Sequence, residues 1–548
     1  MLAGAILTLG GAAISWNQSI EYNHLQYISF GLAPASSLVD SLSVPFLGLL
    51  GLLASAAAVA SPSHVAALNS QGKRGHYWKL SFIFLIGLQQ VLLASNGIAF
   101  LVFWEIMSLS SAGLVAADHI RHRAQRAAFA YLTATRISTA FLTAAFLWMH
   151  QNTGSWALSA WHFSTEQSLV AAFFLLIAVC TKAGVWPMHV WLPLAYPEPP
   201  GPTSAIFAGL VGNISIYLLM RLLLAGDCSH LAIAYSAIAL GTISSLWGVL
   251  FALMERDLKK LLAYSTVENM GIILTAIGTT ILAHSHGLTT IATLASAAAL
   301  FSHAQSWLGQ GSTVSWSSLS RTRGAHPRAI RSRRTGKKHA VDNALLLYWL
   351  SIYLRNAANE LLCQQMVGLS NVLSTLIRQC PNFRKSNGAC YGRCSRLCWR
   401  PFACCFTKAV GIAFLGRPRS NAAAKAKEST TSGPDGLLIA QLMLAVACVM
   451  IGTSVPIALE GLTPAIRHLT HDQFVIGSTL FPIPQGQLAL VGGILVSSIY
   501  LFVLVDGLAK LRAISPGIAA LGHYQLALKK PVQASRILSV EYFHKFCN

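Results

Sequence analysis

Two ionisable side chains sit where an apolar chain has little reason to put them. Glu105 lies in Phe100-Leu-Val-Phe-Trp-Glu-Ile-Met-Ser, near the middle of an apolar stretch, and Lys182 lies in Val179-Cys-Thr-Lys-Ala-Gly-Val-Trp-Pro-Met-His-Val-Trp-Leu-Pro. An ionisable group within a membrane span costs several kcal/mol unless it is paired or hydrated, so each is a functional candidate by default. Pro187 removes a backbone donor and is expected to break or kink the Lys182 helix, exposing polar backbone beside a buried amine. There, a nearby charge decides whether the amine holds its proton, which is the physical requirement of a proton relay. Opposite charges on neighbouring helices share the desolvation cost and couple their protonation. Two other roles remain open at this level. Glu105 could serve packing alone beside a re-entrant loop or water pocket, and Lys182 could snorkel to the interface.

The elements that must position these groups are membrane helices. Of 548 residues, 54% are hydrophobic and only 10% charged, which excludes a soluble protein of this size. A spanning helix needs about 20 mostly apolar residues. Such stretches recur near 1–16, 39–61, 78–96, 97–117, 127–149, 168–186, 203–225, 230–254, 261–283, 285–302, 437–458 and 486–510. The expected fold is all-α, a polytopic transmembrane helix bundle with broken helices. The stretch from Met1 has no basic residue and no cleavage site of the usual kind, and reads as a retained first helix.

The formal charge of +21 is unevenly spread: His303–Cys405 holds 15 Lys or Arg against two acids, Asp342 and Glu360, together with seven of the 11 cysteines. Cys390-x3-Cys394-x3-Cys398 is not the spacing of paired zinc ligands, and the basic run has no nucleic-acid recognition element. The cysteine spacings fit no iron–sulfur cluster, and no Gly-rich phosphate loop follows a strand. No cofactor, metal or nucleic acid is therefore expected. The chain divides into 1–302, a transmembrane proton-channel half; 303–405, the basic Cys-rich segment; 406–505, C-terminal transmembrane helices; and a polar tail, 506–548.

Three strings carry a specific resemblance: Phe103-Trp-Glu-Ile-Met-Ser-Leu-Ser-Ser, Lys182-Ala-Gly-Val-Trp-Pro-Met-His-Val-Trp-Leu-Pro, and Asp257-Leu-Lys-Lys-Leu-Leu-Ala-Tyr-Ser-Thr-Val-Glu-Asn-Met-Gly-Ile-Ile-Leu. They resemble the antiporter-like subunits of complex I. Val267-Glu-Asn and Lys408-Ala-Val-Gly-Ile-Ala-Phe-Leu-Gly-Arg-Pro-Arg-Ser are most similar to the branch found in membrane hydrogenases, with component B of hydrogenase four and the formate hydrogenlyase membrane subunit. The likeness covers about 75–302 well and 403–500 fairly.

The resemblance implies a multi-pass protein of the cell inner membrane that moves protons and is not itself catalytic. Redox chemistry would lie in partner membrane and peripheral subunits of a hydrogenase or NADH:quinone oxidoreductase. Glu105 and Lys182 would be the proton-transfer pair, with His189, Glu268 and Lys259 as accessory groups. An Mrp-type cation/proton antiporter shares the same two helices and is the alternative. The chain departs from the family at three places: Asn213 stands where the hydrogenase branch has a membrane lysine, Arg136 follows Thr135 where a histidine is expected, and loop histidines near Tyr196 and Pro202 are missing.

The genetic code accounts for the middle of the chain. Back-translating Lys337–Leu345 and reading one base later permits KNMPWTTL, and the same offset turns Ala357–Met366 plus the next base into PPMNCFVSKW, both family-like strings in family order. Some letters are forced, since Met366 followed by any valine codon reads Trp one base later. The segment 303–405 therefore reads as out of frame, leaving Ala299-Leu-Phe-Ser as the remnant of one conserved helix and removing the exit half of the proton path. An offset of two bases makes the tail beyond Val505 family-like in the same way. A nonfunctional remnant is the third reading.

Overall fold

A computed structural model of the chain describes residues 22–26, 36–66, 71–118, 122–199, 201–255, 257–322, 439–440, 443–444, 446–447 and 455–470. The chain divides into units Met1–Pro482 and Ile483–Asn548, and every described residue belongs to the first. The spans expected at 1–16 and 486–510, the cysteine series and the tail lie outside the described residues.

The described residues are mainly helical, as expected, with one addition that the apolar pattern does not announce. Two short antiparallel strands, β1 (Tyr22–Gln26) and β2 (Ser36–Val39), form a ribbon ahead of the first described helix. The helices follow as α1 (Ser43–Ala66), α2 (Gln71–Leu93), α3 (Gly97–Val115), α4 (His122–Thr153) and α5 (Leu169–Ala183). A 3-10 turn at Met188–Trp191 leads into the short α6 (Leu192–Ala195). Then come α7 (201–224), α8 (Leu231–Met254), α9 (Leu258–Ser285), α10 (Thr289–Thr322) and α11 (Val455–Thr470). Among the described residues six helices are long and apolar enough to cross a membrane.

Chain neighbours pack as pairs: α2 on α3, α4 on α5, α8 on α9 and α9 on α10. Within a bilayer, helix association depends on close packing and interhelical hydrogen bonds more than on apolar burial. Both devices are present. Gly241 of α8 and Gly271 of α9 face each other so tightly that a Cβ on either would lie 2.6 Å from the other's carbonyl oxygen. Ser138 of α4 donates to the Ala178 carbonyl of α5 at 2.7 Å.

The break expected after Lys182 is present, and glycine places it ahead of the proline. Helix α5 ends at Ala183 because Gly184 takes a left-handed φ of 74°, a conformation that suits a residue lacking Cβ. The chain then passes through a cis Trp186–Pro187 peptide into the 3-10 turn. Helix α7 is irregular too, with π-helical segments Phe207–Val211 and Met220–Leu224 on either side of Gly212–Leu219. Its Gly212 lies against the broken end of α5, where a Cβ would sit 3.5 Å from the Ala183 carbonyl.

Helix α10 runs through the 302/303 boundary without interruption to Thr322. The boundary set by composition does not coincide with a helix end, because the helical backbone continues past the point where the apolar period fades.

Candidate functional site: a buried lysine at a broken helix

Lys182 occupies the last turn of α5 and is fully buried, so it does not snorkel. Its Nζ donates to Ser108 Oγ of α3 at 2.7 Å and, more distantly, to the Tyr131 hydroxyl of α4 at 3.3 Å. The Tyr131 hydroxyl is itself 2.7 Å from Ser111 Oγ of α3. The ammonium lies 5.1 Å from the Trp104 ring centroid and 5.3 Å from that of Tyr131, within cation–π range of both. A charged hydrogen bond contributes roughly 1.5–3 kcal/mol, and each ring contributes up to about 2 kcal/mol when desolvated. These gains are comparable to the several kcal/mol that burying an ammonium costs. Such a balance leaves both protonation states within reach, as a relay group requires.

Glu105 lies three residues before Ser108 on α3, which places both on one helix face. Its contact is with Arg136 of α4: Nη1 stands 2.5 Å from Glu105 Oε2, with the Arg136 side chain 49% exposed and that of Glu105 25% exposed. The contact is ionic and not a directed hydrogen bond, since both Glu105 oxygens are buried and neither has a hydrogen-bond partner among the described residues. Arg136, which the sequence marks only as a departure from the family, is thus the immediate counter-charge of the glutamate.

The accessory candidates fall in different places. Lys259, in the first turn of α9, is 3% exposed and donates to the carbonyls of Pro197 (3.3 Å) and Pro199 (3.1 Å) and to Ser204 Oγ (3.0 Å). It ties α9 to the loop between α6 and α7. His189 lies in the 3-10 turn after the break, 9% exposed, with its ring 6.2 Å from Tyr264 of α9. Glu268, 3% exposed, sits where α9 presses on Gly248 of α8. Ser244 of α8 bridges these parts, accepting from the Trp186 amide (3.2 Å) and donating to the Val267 carbonyl (3.1 Å).

Beyond the break, Asn213 is fully buried; its Nδ2 donates to the Gly209 carbonyl at 2.6 Å, while Oδ1 has no partner among the described residues. His303 of α10 comes within 3.0 Å of the Asn213 carbonyl through Nε2, and the same nitrogen lies 3.3 Å from Trp307 Nε1. Sequence reasoning did not pick out Ser108, Ser111, Tyr131, Trp104 or His303. Ser108 was legible as the residue three places after Glu105 on the same helix face, and Ser111 as the residue one turn beyond Ser108. Tyr131 and His303 come from other helices, and no local signal marks them.

Comparison with known proteins bears on the domain and the fold. A family model described as NADH:quinone oxidoreductase/Mrp antiporter, transmembrane, matches residues 94–324, the part holding Glu105, Lys182 and the broken helix. Hydrogenase-4 component B of Escherichia coli K12 is 30% identical over 460 residues, covering 81% of this chain and 65% of that protein. Formate hydrogenlyase subunit 3 of the same strain is 27% identical over 388 residues, covering 68% of this chain and 60% of its own length. The chain thus spans somewhat less than two thirds of these relatives. Among solved structures, a chain of the Mrp complex from Dietzia sp. superposes with a TM-score of 0.68 at 18% identity, covering 86% of this chain and 91% of that one. A chain of respiratory complex I from Thermus thermophilus gives 0.65 at 16% identity, covering 86% and 94%. Residues 94–324 thus carry the membrane domain described as NADH:quinone oxidoreductase/Mrp antiporter, and the chain is similar in sequence to hydrogenase membrane components and in fold to antiporter-like chains of the Mrp complex and complex I.

Proposed function

We propose that the chain is the proton-translocating, non-catalytic membrane subunit of a hydrogenase or NADH:quinone oxidoreductase-type complex, residing in the cell inner membrane. Redox chemistry belongs to partner membrane and peripheral subunits, and the chain binds no cofactor. The observation that carries this reading is Lys182: wholly buried at the end of a broken helix, held by one close hydroxyl and two aromatic faces, with Glu105 on the adjoining helix face. Val267-Glu-Asn and the Gly-Arg-Pro-Arg stretch at 416–419 favour the hydrogenase branch over an Mrp-type cation/proton antiporter.

The same proposal takes 303–405 and 506–548 as translated out of frame, so that the proton path of the product as written ends after the Glu105 and Lys182 half. Resequencing the DNA across codons 300–410 and 500–512 tests this. An intact open frame with no extra or missing base overturns it.

The functional test is proton flux in vesicles bearing the frame-restored chain with its partner subunits. Lys182→Ala is expected to abolish coupled proton movement, and normal pumping by that variant removes the role given to Lys182. Copurification with a nickel-iron hydrogenase or with quinone-reductase arms supports the subunit reading. Sodium-dependent antiport without such partners supports the antiporter instead, and a parent chain that inserts but conducts nothing is the remnant.

A further inference from the structure

Arg136 holds the unusual position in this site. Helix α4 spans His122–Thr153, so Arg136 lies near its middle, where a guanidinium facing lipid is costly. Its side chain is half exposed, yet its head group reaches inward to Glu105. Lys182 spends its close hydrogen bond on Ser108 and not on the carboxylate. Helix α4 therefore holds both members of the expected pair, Lys182 through the Tyr131 hydroxyl and Glu105 through Arg136, five residues further along the same helix.

An arginine remains charged throughout the physiological range and cannot pass a proton. What it contributes is a fixed cation that competes with Lys182 for the one carboxylate the two share. The fully buried cage of hydroxyls and rings around Lys182 gives that amine an alternative hold while Glu105 is engaged elsewhere.

We propose that Arg136 is a positioning residue that clamps Glu105 and keeps it apart from Lys182, so that the pair rests uncoupled until α4 shifts or the long, half-exposed arginine side chain swings away. This inference rests on the relay reading given above, and it names the contact that gates it.

The test is labelling of Glu105 by N,N′-dicyclohexylcarbodiimide, an apolar reagent that adds to a desolvated carboxyl presenting its proton, read by mass spectrometry of the peptide in the full chain. The wild-type chain and R136K, which keeps the cation, are expected to label weakly. R136Q is expected to label about tenfold more, because removing the arginine leaves the buried carboxylate oxygens of Glu105 without their counter-charge. R136H supplies the same reading if R136Q does not fold, and the elution profile in detergent checks folding for each variant. In the frame-restored chain, proton flux through R136Q is expected to rise severalfold, with Lys182→Ala in the same background cancelling the gain. Equal labelling of the wild type, R136K and R136Q overturns the clamp. The two readings separate: a wild-type chain without flux but with arginine-dependent labelling keeps the clamp and removes the relay, whereas Lys182-dependent flux with flat labelling removes the clamp alone.

Discussion

Lys182 and Lys259 are both almost wholly removed from solvent, at 0% and 3% exposure, but the atoms around their ammonium groups differ in kind. Lys259 meets three oxygens, two of them backbone carbonyls of Pro197 and Pro199 and the third Ser204 Oγ, all between 3.0 and 3.3 Å. An ammonium has three donors, and here each has an acceptor. Lys182 has one close acceptor, one distant hydroxyl and two ring faces. Two carbonyls, and a Ser204 hydroxyl that itself donates to the Pro199 carbonyl at 2.9 Å, favour the charged amine at Lys259, whereas the hydroxyls around Lys182 can donate or accept. Burial alone therefore does not mark a relay lysine. The difference lies in whether the surrounding groups tolerate the neutral amine.

The largest test of that contrast exchanges each lysine for methionine, which keeps length and removes charge. Lys182→Met is expected to reduce proton flux to the level of empty vesicles while leaving the unfolding midpoint in detergent unchanged or raised, since an apolar group of similar volume often replaces a buried charge without loss. Lys259→Met is expected to do the reverse. It removes the hydrogen bonds that tie α9 to the loop between α6 and α7, each bond from a charged group contributing roughly 1.5–3 kcal/mol, so the midpoint falls while flux per folded protein holds. Loss of flux with retained stability in both variants would erase the distinction.

A smaller effect is expected from the acceptors of Lys182. Ser108→Ala removes the 2.7 Å partner. A hydrogen bond to a charged group contributes roughly 1.5–3 kcal/mol, and a change near the lower end corresponds to about tenfold in rate. Flux is expected to fall by about that factor. Tyr131→Phe removes a contact at 3.3 Å and should matter less, severalfold at most. A larger loss in Tyr131→Phe than in Ser108→Ala would show that the proton leaves through the Tyr131–Ser111 hydroxyl pair.

Much of this contrast could be read from residues alone, and the reason it could is local. Glu105 and Lys182 announce themselves because a charge in an apolar run is costly unless it is paired or hydrated, and Pro187 signals an interruption close to the true break at Gly184. The helix positions follow from the length of the apolar runs. Pairing across helices was not legible. Arg136 reads in sequence as a misplaced cation, because nothing in the spacing of residues 105 and 136 says that α3 and α4 bring them together. The partners of Lys259 were not legible for the same reason, since they lie about 60 positions earlier. The ribbon of β1 and β2 escaped because composition shows length and apolarity, and short strands before a first helix have neither signal.

Arg221 offers a third buried cation, near the end of α7, and its partner Asp40 lies ahead of the span that begins at Ser43. Its Nη1 pairs with Asp40 Oδ2 at 2.9 Å and donates to the Tyr217 hydroxyl at 2.8 Å, tying the residue just ahead of α1 to the second π segment of α7. His468 of α11 stands 3.7 Å from the same carboxylate oxygen. Burial pushes the Asp40 carboxyl up, but Arg221 foremost, with His468 and the Ser43 hydrogen bonds, outweighs it and holds the group below its ordinary value of 3.8. A carboxyl lowered in the folded state adds stability that is fully present above the ordinary value and is lost as the pH falls through the folded one. The unfolding midpoint should therefore be insensitive to this group from pH 7 to 5 and decline only below about 4. Asp40→Asn should flatten that acid limb while leaving lysine-dependent flux intact. If the acid limb survives in Asp40→Asn, the Arg221 pair is not what responds to acid. If instead flux disappears with it, the fixed pair and the exchanging lysine are coupled, and the separation drawn between them fails.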